Sequence, residues 1–189
     1  MHRRDALRLL VTTAVPALAG LSPARLGAVG RSAHRAGRTL QVLDAHQSAT
    51  LLAIAEHIIP ATDTPGARAA RVDAFADVIL AERYDDRERA RFLAGLADVD
   101  ARARAATGRP FLEATAEQQV AVLTALDGAA LAARARDPSG QPFFREMKWL
   151  TLYGYYTSEI GFTEELRQSV ISGRYDPCIP VAIDRPGGS

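Results

Sequence analysis

The side chains that could carry chemistry in this chain are few, and their spacing builds no recognisable metal site. The sequence contains four histidines and one cysteine. His46 and His57 lie 11 residues apart on one predicted helix, which is about three turns, so they share a face but cannot bind one ion. We expect both to be surface or boundary residues. A single cysteine also excludes an internal disulfide and a cysteine-based zinc or iron–sulfur cage.

Acidic pairs and glycine-rich loops indicate no catalytic site either. The pairs Asp85-Asp86 and Glu164-Glu165 stand at predicted helix starts, where negative charge is favourable. The sequence contains no Gly-x-Gly-x-x-Gly, no Walker loop and no His-Glu-x-x-His. We therefore predict that this chain has no catalytic residue, no cofactor-binding residue and no metal ligand.

One stretch near the C-terminus concentrates aromatic residues in a chain that is only 6% aromatic. On a helix, Trp149, Tyr153 and Tyr156 share a face, whereas Tyr155 and Phe144 point elsewhere. Tyrosine and tryptophan are typical anchors of protein interfaces. The pattern therefore leaves two interpretations open, a central core helix and a partner interface.

A third interpretation treats the same helix as a ligand site. The face formed by Tyr153, Tyr156 and Glu159 could line a concave pocket. The chain would then be a stand-alone exported helical enzyme or ligand-binding protein. No base–nucleophile pairing in the sequence supports that alternative.

The N-terminus has the layout of an export signal. Arg3 and Arg4 precede a mildly apolar run that includes Leu7, and Ala17-Leu18-Ala19 has the small-x-small form of a cleavage site. The run is shorter than the ~20 apolar residues of a membrane span. Paired arginines resemble the twin-arginine signal, which exports folded proteins. We expect export to the periplasm and cleavage after Ala19; an amphipathic first helix is the alternative.

The rest of the sequence predicts one all-α domain of about five to six helices, with an irregular C-terminal tail. The predicted organisation is a signal peptide at 1–19, a linker at 20–39, the helical domain at 40–175 and an extended tail at 176–189. A formal net charge of +1 gives no electrostatic reason to expect nucleic acid as a partner.

Helical spacing of apolar residues carries the all-α prediction, since no segment alternates convincingly at period two. Asp44 and Thr115 are predicted N-caps, the latter in a capping box with Gln118. Val120, Leu123 and Leu126 are predicted to be buried. The predicted helices span Leu43–Ile59, Arg71–Tyr84, Arg87–Ala106, the segment from the Thr115 cap to Ala133, Phe143–Glu159, and a short helix from Thr163 through Leu166 and Val170.

The lone cysteine, Cys178, lies between Pro177 and Pro180 in the predicted tail. An unpaired cysteine in an exported chain indicates either an intermolecular bridge or a free thiol.

Several motifs of the chain resemble subunit 3, the small or gamma subunit, of gluconate 2-dehydrogenase and related membrane-bound sugar dehydrogenases. The Gly-Tyr-Tyr-Thr-Ser-Glu run that begins at Gly154 is the most specific of them. The resemblance covers the chain from about Leu43 to Cys178. The motifs are the twin-arginine start, Ile58-Ile59-Pro60, Asp63-Thr64-Pro65-Gly66-Ala67, Phe143-Phe144 before Lys148, Leu150-Thr151-Leu152-Tyr153-Gly154-Tyr155-Tyr156-Thr157-Ser158-Glu159-Ile160-Gly161, and Gly173-Arg174-Tyr175-Asp176-Pro177-Cys178.

The resemblance implies an accessory, non-catalytic role without a cofactor in this chain. The implied large partner is an FAD-dependent flavoprotein of the glucose–methanol–choline oxidoreductase type, which oxidises a sugar or sugar acid. A cytochrome c subunit with haem c often completes such a complex, which is membrane-associated. The small subunit would lead the folded flavoprotein through the twin-arginine translocase and then stabilise it. The expected partner interface comprises Trp149, Tyr153, Tyr155, Tyr156, Glu159, Tyr175 and Cys178.

Overall fold

The chain is helical throughout the part that a computed structural model describes, residues 39–168. That part holds five α-helices, a 3-10 turn, a terminal π-helical turn and no strand. The all-α prediction is therefore confirmed for these residues. The elements are α1 Ala45–Ile58, α2 Val72–Glu82, α3 Asp86–Thr107, the 3-10 turn Phe111–Glu113, α4 Ala116–Arg136, α5 Phe143–Tyr156 and the π-helical turn Gly161–Glu165.

Local side-chain caps begin three of the five helices. The side chains of Asp44, Asp85 and Thr115 each accept a hydrogen bond from the amide of the third helical residue, in α1, α3 and α4 respectively. That third residue is Gln or Glu each time, and its side chain returns a bond to the cap amide. The caps predicted at Asp44 and Thr115 are confirmed.

Helix α2 is buried along most of its length. Its first nine residues, Val72 to Leu80, are all buried, and the helix packs against α1 and α5. Phe75 and Ile79 are among the fully buried residues of this helix. A helix buried in this way has no solvent-facing side on which to place a charged residue.

Two carboxylates nevertheless lie within this buried stretch, and both are hydrogen-bonded. Asp77 accepts the backbone amides of Gln41, Val42 and Leu43 at 2.8–2.9 Å. Asp73 accepts the hydroxyl of Ser48 on α1 at 2.9 Å. Each buried carboxylate needs such donors. Asp77 therefore holds residues 41–43 against α2, and Asp73 holds α1 against α2.

The C-terminal helices end differently from the prediction. Helix α5 stops at Tyr156 rather than at Glu159, and the expected sixth helix from Thr163 is the five-residue π-helical turn that begins at Gly161. The reason is local, because the hydroxyl of Ser158 bonds the carbonyl of Tyr155 and the amide of Gly161. These bonds replace the regular helical pattern just beyond Tyr156.

The predicted burial of Val120 is wrong. Its side chain is 49% exposed, whereas Val122 is buried with Leu123 and Leu126. Both valines lie in an α4 sequence with apolar residues on both sides, so spacing alone did not separate them. The contact of α4 with α3 and α5 decides which valine faces inward.

We predict that Asp77→Ala lowers the free energy of unfolding by about 2 kcal/mol or more, because three backbone amides lose their acceptor. Asp98→Ala is the matched control, since Asp98 forms a half-exposed i,i+4 ion pair with Arg102 on α3. That control should change stability by less than about 0.5 kcal/mol. Urea unfolding of both variants measures the difference, and equal midpoints would contradict the role of Asp77.

Candidate functional site

The two most specific motif segments of the sequence meet in space at one junction. One is the loop between α1 and α2, residues 59–71, which carries Asp63 to Ala67. The other is the end of α5 and the turn after it, residues 150–165. We call this meeting point the motif junction. It is the candidate functional site because it unites segments about 90 residues apart.

Carboxylates from α1 and the π-helical turn hold the loop side of the motif junction. Glu56 on α1 accepts the amides of Ala61 at 3.0 Å and Arg68 at 2.8 Å, one with each carboxylate oxygen. The hydroxyl of Thr64 donates to Glu165 Oε2 at 2.7 Å. The loop is therefore bonded both to the helix before it and to the turn that ends the described chain.

Tyr155 is the central residue of the junction. Its side chain is 1% exposed, and its hydroxyl donates to the carbonyl of Pro65 at 2.8 Å. Burial, with smaller contributions from the charges of Glu165, Glu164 and Glu56, raises the pKa of Tyr155. The hydroxyl therefore stays protonated at neutral pH and acts as a donor.

Two glycines allow the close contacts around Tyr155. A Cβ at Gly154 would come within 3.1 Å of the Phe75 ring, so this glycine lets α5 approach α2. A Cβ at Gly161 would overlap the carbonyl oxygen of Tyr155. The close approach at Gly154 is thus made inside the chain, against the side chain of Phe75.

Hydroxyls complete the end of α5 by bonding to its own backbone. Thr157 donates to the carbonyl of Tyr153 and Ser158 to that of Tyr155, both at 2.6 Å. Ser158 also accepts the amide of Gly161 at 3.0 Å. The motif residues from Gly154 to Gly161 thus largely determine how the chain turns and packs.

The aromatic residues of α5 divide between the interior and the surface. Trp149 is 4% exposed and lies in the core, like Tyr155. Tyr153 and Tyr156 are half-buried, and Glu159 is exposed. The ring of Trp149 stacks on that of Tyr153 with centroids 4.3 Å apart. As sequence reasoning allowed, the helix is a core element that keeps part of one face at the surface.

This division corrects two members of the expected partner interface. Trp149 and Tyr155 are buried inside the single chain, so neither side chain offers contact area to another protein. Tyr153, Tyr156 and Glu159 keep an accessible position, and their interface role stays a prediction. The other expected site residues lie outside the described residues, namely Tyr175 and Cys178, the export-signal residues Arg3, Arg4 and Leu7, and the cleavage residues Ala17 and Ala19.

The two histidines of α1 hold the 3-10 turn from both sides. His46 Nε2 bonds Asp100 Oδ2 at 2.5 Å, and Asp100 Oδ1 accepts the amide of Phe111 at 2.9 Å. His57 Nε2 bonds Gln119 Oε1 at 2.7 Å, and Gln119 donates to the Phe111 carbonyl at 2.8 Å. Each histidine therefore acts through a second side chain on the same buried residue.

The His46–Asp100 pair has the residue types of an acid–base dyad but serves to position the turn. Burial by itself would raise the pKa of Asp100; the hydrogen bonds from His46 and Phe111, and the nearby charges of His46 and Arg104, outweigh it and lower that pKa. Asp100 thus stays ionised as an acceptor. Both histidines lie at the surface or its boundary, as predicted.

A second buried polar cluster lies between α3 and α5. Glu146 is 2% exposed, and its Oε2 lies 3.7 Å from Arg91 Nη2 without a hydrogen bond. Burial raises the pKa of Glu146, although Tyr84 and Arg91 oppose the rise. Burial and the Glu146 charge also raise the pKa of Tyr84 far above its ordinary value. The cluster is destabilised when Glu146 is ionised.

The structure shows one further concave feature, away from these residues. A cavity of about 310 Å³ lies between α3 and α4, lined by Arg102, Ala106, Thr107, Gln118, Ala121, Val122 and Ala125. The Tyr153, Tyr156 and Glu159 side chains are not among its walls. Within residues 39–168, no group of three or more acidic, histidine or cysteine side chains could hold a metal. No helix in that range is long and apolar enough to cross a membrane.

Sequence reasoning missed the acids that organise these contacts, namely the half-buried Glu56 and the buried Asp73, Asp77 and Asp100. Each of them has a partner 12 to 54 positions away, which is Arg68 for Glu56, Ser48 for Asp73, residues 41–43 for Asp77 and His46 for Asp100, so local patterns gave no access to these bonds. One signal was available for two of them. Asp73 and Asp77 interrupt an otherwise apolar stripe in α2, and a buried acid requires donors.

The fold and the motif junction define a small helical protein whose distinctive residues organise its own interior. The chain belongs to the gluconate 2-dehydrogenase subunit 3 family, whose model matches residues 45–173. Membership implies that the chain is one subunit of a multi-subunit dehydrogenase complex. Comparison with curated proteins and with solved structures found no match.

We predict that Tyr155→Phe lowers the free energy of unfolding by about 1 kcal/mol, because the only group removed is the hydroxyl that bonds Pro65. Tyr153→Phe is the matched control, since its half-buried ring still stacks on Trp149. Urea unfolding and proteolysis of the 59–71 loop compare the two. If Tyr155→Phe were as stable and as resistant as the control, the bond would not hold the junction.

A separate prediction concerns the pH dependence of stability at Glu146. Its raised pKa means that the folded state holds the proton to higher pH than the unfolded state does. The stabilising contribution is present below the unfolded pKa and is lost as pH rises through the folded value. Glu146→Gln should therefore gain melting temperature relative to wild type between about pH 4 and about pH 8. If the difference in melting temperature between Glu146→Gln and wild type were the same at about pH 4 and at about pH 8, the prediction would be contradicted.

Proposed function

We propose that this chain is the non-catalytic small subunit of a periplasmic FAD-dependent sugar or sugar-acid dehydrogenase, of the gluconate type or one acting on the 3-hydroxyl of glycosides. Its partner is a flavoprotein of the glucose–methanol–choline type. The small subunit escorts that folded flavoprotein through twin-arginine export and stabilises it afterwards. Family membership supports the complex, and the paired Arg3 and Arg4 support the export route.

The observation that carries the accessory role is how the motif junction uses its polar groups. Tyr155, Thr157 and Ser158 bond to backbone carbonyls of their own chain. Hydroxyls engaged in this way stabilise a rigid scaffold, whereas a reacting site needs donors and acceptors directed at a substrate. Scaffolding suits a subunit that stabilises another protein.

The accessible part of the α5 face is the partner surface we propose. Tyr153 and Tyr156 present half-buried rings, and the exposed Glu159 lies at the edge beside them. Trp149 supports Tyr153 from within by stacking, so it positions a contact residue without touching the partner. Rigid aromatic residues next to a polar rim are typical of interface hot spots. Tyr175 and Cys178 extend this surface in the proposal.

The cofactors of the complex belong to the other subunits in this proposal. FAD is bound by the flavoprotein, and haem c by a cytochrome subunit where one is present. The complex is held at the membrane through those subunits. This chain then contributes its export signal and its folded surface.

The test follows the flavoprotein rather than this chain alone. The full-length chain is co-expressed with the flavoprotein encoded beside it, either as wild type or with Arg3→Lys and Arg4→Lys. We expect the flavoprotein in the periplasm with wild type and in the cytoplasm with the lysine pair, because the translocase reads paired arginines. Arg25→Lys with Arg31→Lys, in the predicted linker, is the matched control and should leave export unchanged.

Two results would reject parts of this proposal separately. Export of the flavoprotein with the lysine pair would reject the escort role, and failure of the two chains to co-purify would reject the subunit role. The purified chain alone should show no flavin absorbance and no dehydrogenase activity. Activity of the isolated chain that is lost in Glu159→Ala, with folding intact, would instead establish the stand-alone alternative.

A further inference from the structure

The cavity between α3 and α4 is a groove with a wall of small apolar side chains. Its volume is about 310 Å³. Ala106, Ala121 and Ala125 are exposed along it, and Val122 is its buried apolar residue. Because the three alanines are short, the groove has room for larger apolar side chains from another segment. We call it the α3–α4 groove, defined by Arg102, Ala106, Thr107, Gln118, Ala121, Val122 and Ala125.

The polar groups of the α3–α4 groove lie at its two ends. At one end, Thr107 Oγ1 donates to the carbonyl of Ala103 at 2.8 Å, and Gln118 Oε1 accepts an amide of its own cap at 2.9 Å. At the other end, Arg102 Nε donates to Asp98 at 2.6 Å, and the side chain of Arg102 is 48% exposed. Its guanidinium carries further N–H donors. The groove therefore suits an apolar segment that ends in an acidic group beside Arg102.

Helices α4 and α5 place the Gln118 end of the groove level with the end of α5. The two helices are joined by a short loop and pack against each other, which makes them antiparallel. Lys148 of α5 pairs with Asp127 of α4 at 2.6 Å. Gln118 lies nine residues before Asp127, and Thr157 lies nine residues after Lys148. Both therefore lie at the same end of the helix bundle.

Two hydrogen bonds link this end of the bundle to the last residues that the structure describes. His57 at the end of α1 bonds Gln119, the neighbour of a groove residue, at 2.7 Å. Thr64, in the loop that follows α1, bonds Glu165 at 2.7 Å. The chain therefore continues beyond Gln168 from the same end of the bundle at which the α3–α4 groove begins.

The sequence beyond the described residues contains a segment that complements the groove. Residues 179–183 are Ile-Pro-Val-Ala-Ile, which is uncharged and has a β-branched residue at every second position. In an extended segment, Ile179, Val181 and Ile183 share one side, whereas Pro180 and Ala182 share the other. Proline also disfavours a helix here. The pattern therefore predicts an extended segment with one strongly apolar side.

The length of the segment matches that of the groove. Four extended steps from Ile179 to Ile183 cover about 13 Å, and the α4 wall from Gln118 to Ala125 covers about 10 Å. The link from Gln168 to Ile179 reaches up to about 36 Å, which is about the diameter of a domain of this size. The segment is therefore long enough to reach the groove and to fill it.

The charges of the segment and the groove are also complementary. Asp184 follows the last apolar residue of the segment directly. A segment that enters beside Gln118 and runs along the groove brings Asp184 to the end that carries the half-exposed Arg102. Entry in the opposite direction would place Asp184 at the apolar end beside Ala121 and away from that guanidinium.

From the position, length and charges we infer that residues 179–183 of this chain bind in its own α3–α4 groove as an extended segment. The side chains of Val181 and Ile183 then pack against the three alanines. This contact goes beyond the proposed function. Because the segment begins after Cys178, Tyr175 and Cys178 stay available to the proposed flavoprotein surface.

The first test joins the segment to the groove by a disulfide. In a full-length Cys178→Ser chain, Val181→Cys is combined with Ala121→Cys on the groove wall or with Ala129→Cys. Ala129 is the matched control, because it is exposed on α4 about 12 Å further along the helix. After mild oxidation we expect most of the first variant and little of the second to hold an internal bridge at monomer mass. A non-reducing gel and a count of free thiols measure the bridge.

The second test uses the alternation of the segment. Val181→Asp puts a charge into the groove, whereas Ala182→Asp puts the same charge on the opposite side and is the matched control. We expect Val181→Asp to lower the melting temperature by about 4 °C and Ala182→Asp to lower it by less than about 1 °C. Both variants are measured as the isolated chain, so the result does not depend on whether the chain binds a flavoprotein.

Three results would overturn the inference. They are equal bridging of the two cysteine pairs, a bridge that forms only between two chains and gives a covalent dimer, and equal melting temperatures of the two aspartate variants. The flavoprotein is the competing occupant of the groove. An unlinked Val181–Ala121 cysteine pair, together with loss of flavoprotein co-purification in Ala121→Glu, would assign the groove to that partner instead.

Discussion

Burial of helix α2 along most of its length is the constraint on which the rest of the structure depends. Nine consecutive residues of this helix are excluded from water, and two of them are aspartates. A buried carboxylate is tolerated only where donors reach it, so Asp77 orders the chain at residues 41–43 and Asp73 orders α1. The apolar side chains drive the burial, and the acids make the arrangement specific. Helices α1 and α5 pack directly against this buried helix, and α3 and α4 pack against α5.

The motif junction follows from this buried helix. Helix α5 can approach α2 closely because Gly154 leaves room for Phe75, and that approach carries Tyr155 to the carbonyl of Pro65. The loop before α2 and the turn after α5 are then bonded to each other through Thr64 and Glu165. The residues of the most specific family motif thus pack and form hydrogen bonds mainly inside the chain. In the proposed complex their effect on the partner is indirect, through the rigidity of the face that holds Tyr153 and Tyr156.

The surface of the described chain separates into regions of different character. The accessible part of α5 offers two half-buried aromatic rings with the exposed Glu159 beside them, whereas the outer side of α4 exposes Val120 and Leu131. Tyr84 and Glu146 lie beneath the surface with the exposed Arg91 beside them, and this polar cluster affects stability.

The sequence by itself determined the features that depend on near neighbours. Helical periodicity predicted five helices close to where they lie, and cap residues such as Asp44 and Thr115 predicted where two begin. The motif spacing also predicted the family. Only the tertiary structure decided that Tyr155 and Trp149 are buried and that Val120 is exposed while Val122 is not. The physical reason is range: periodicity reports which residues share a face, but contacts between residues up to 90 positions apart decide which face another element covers.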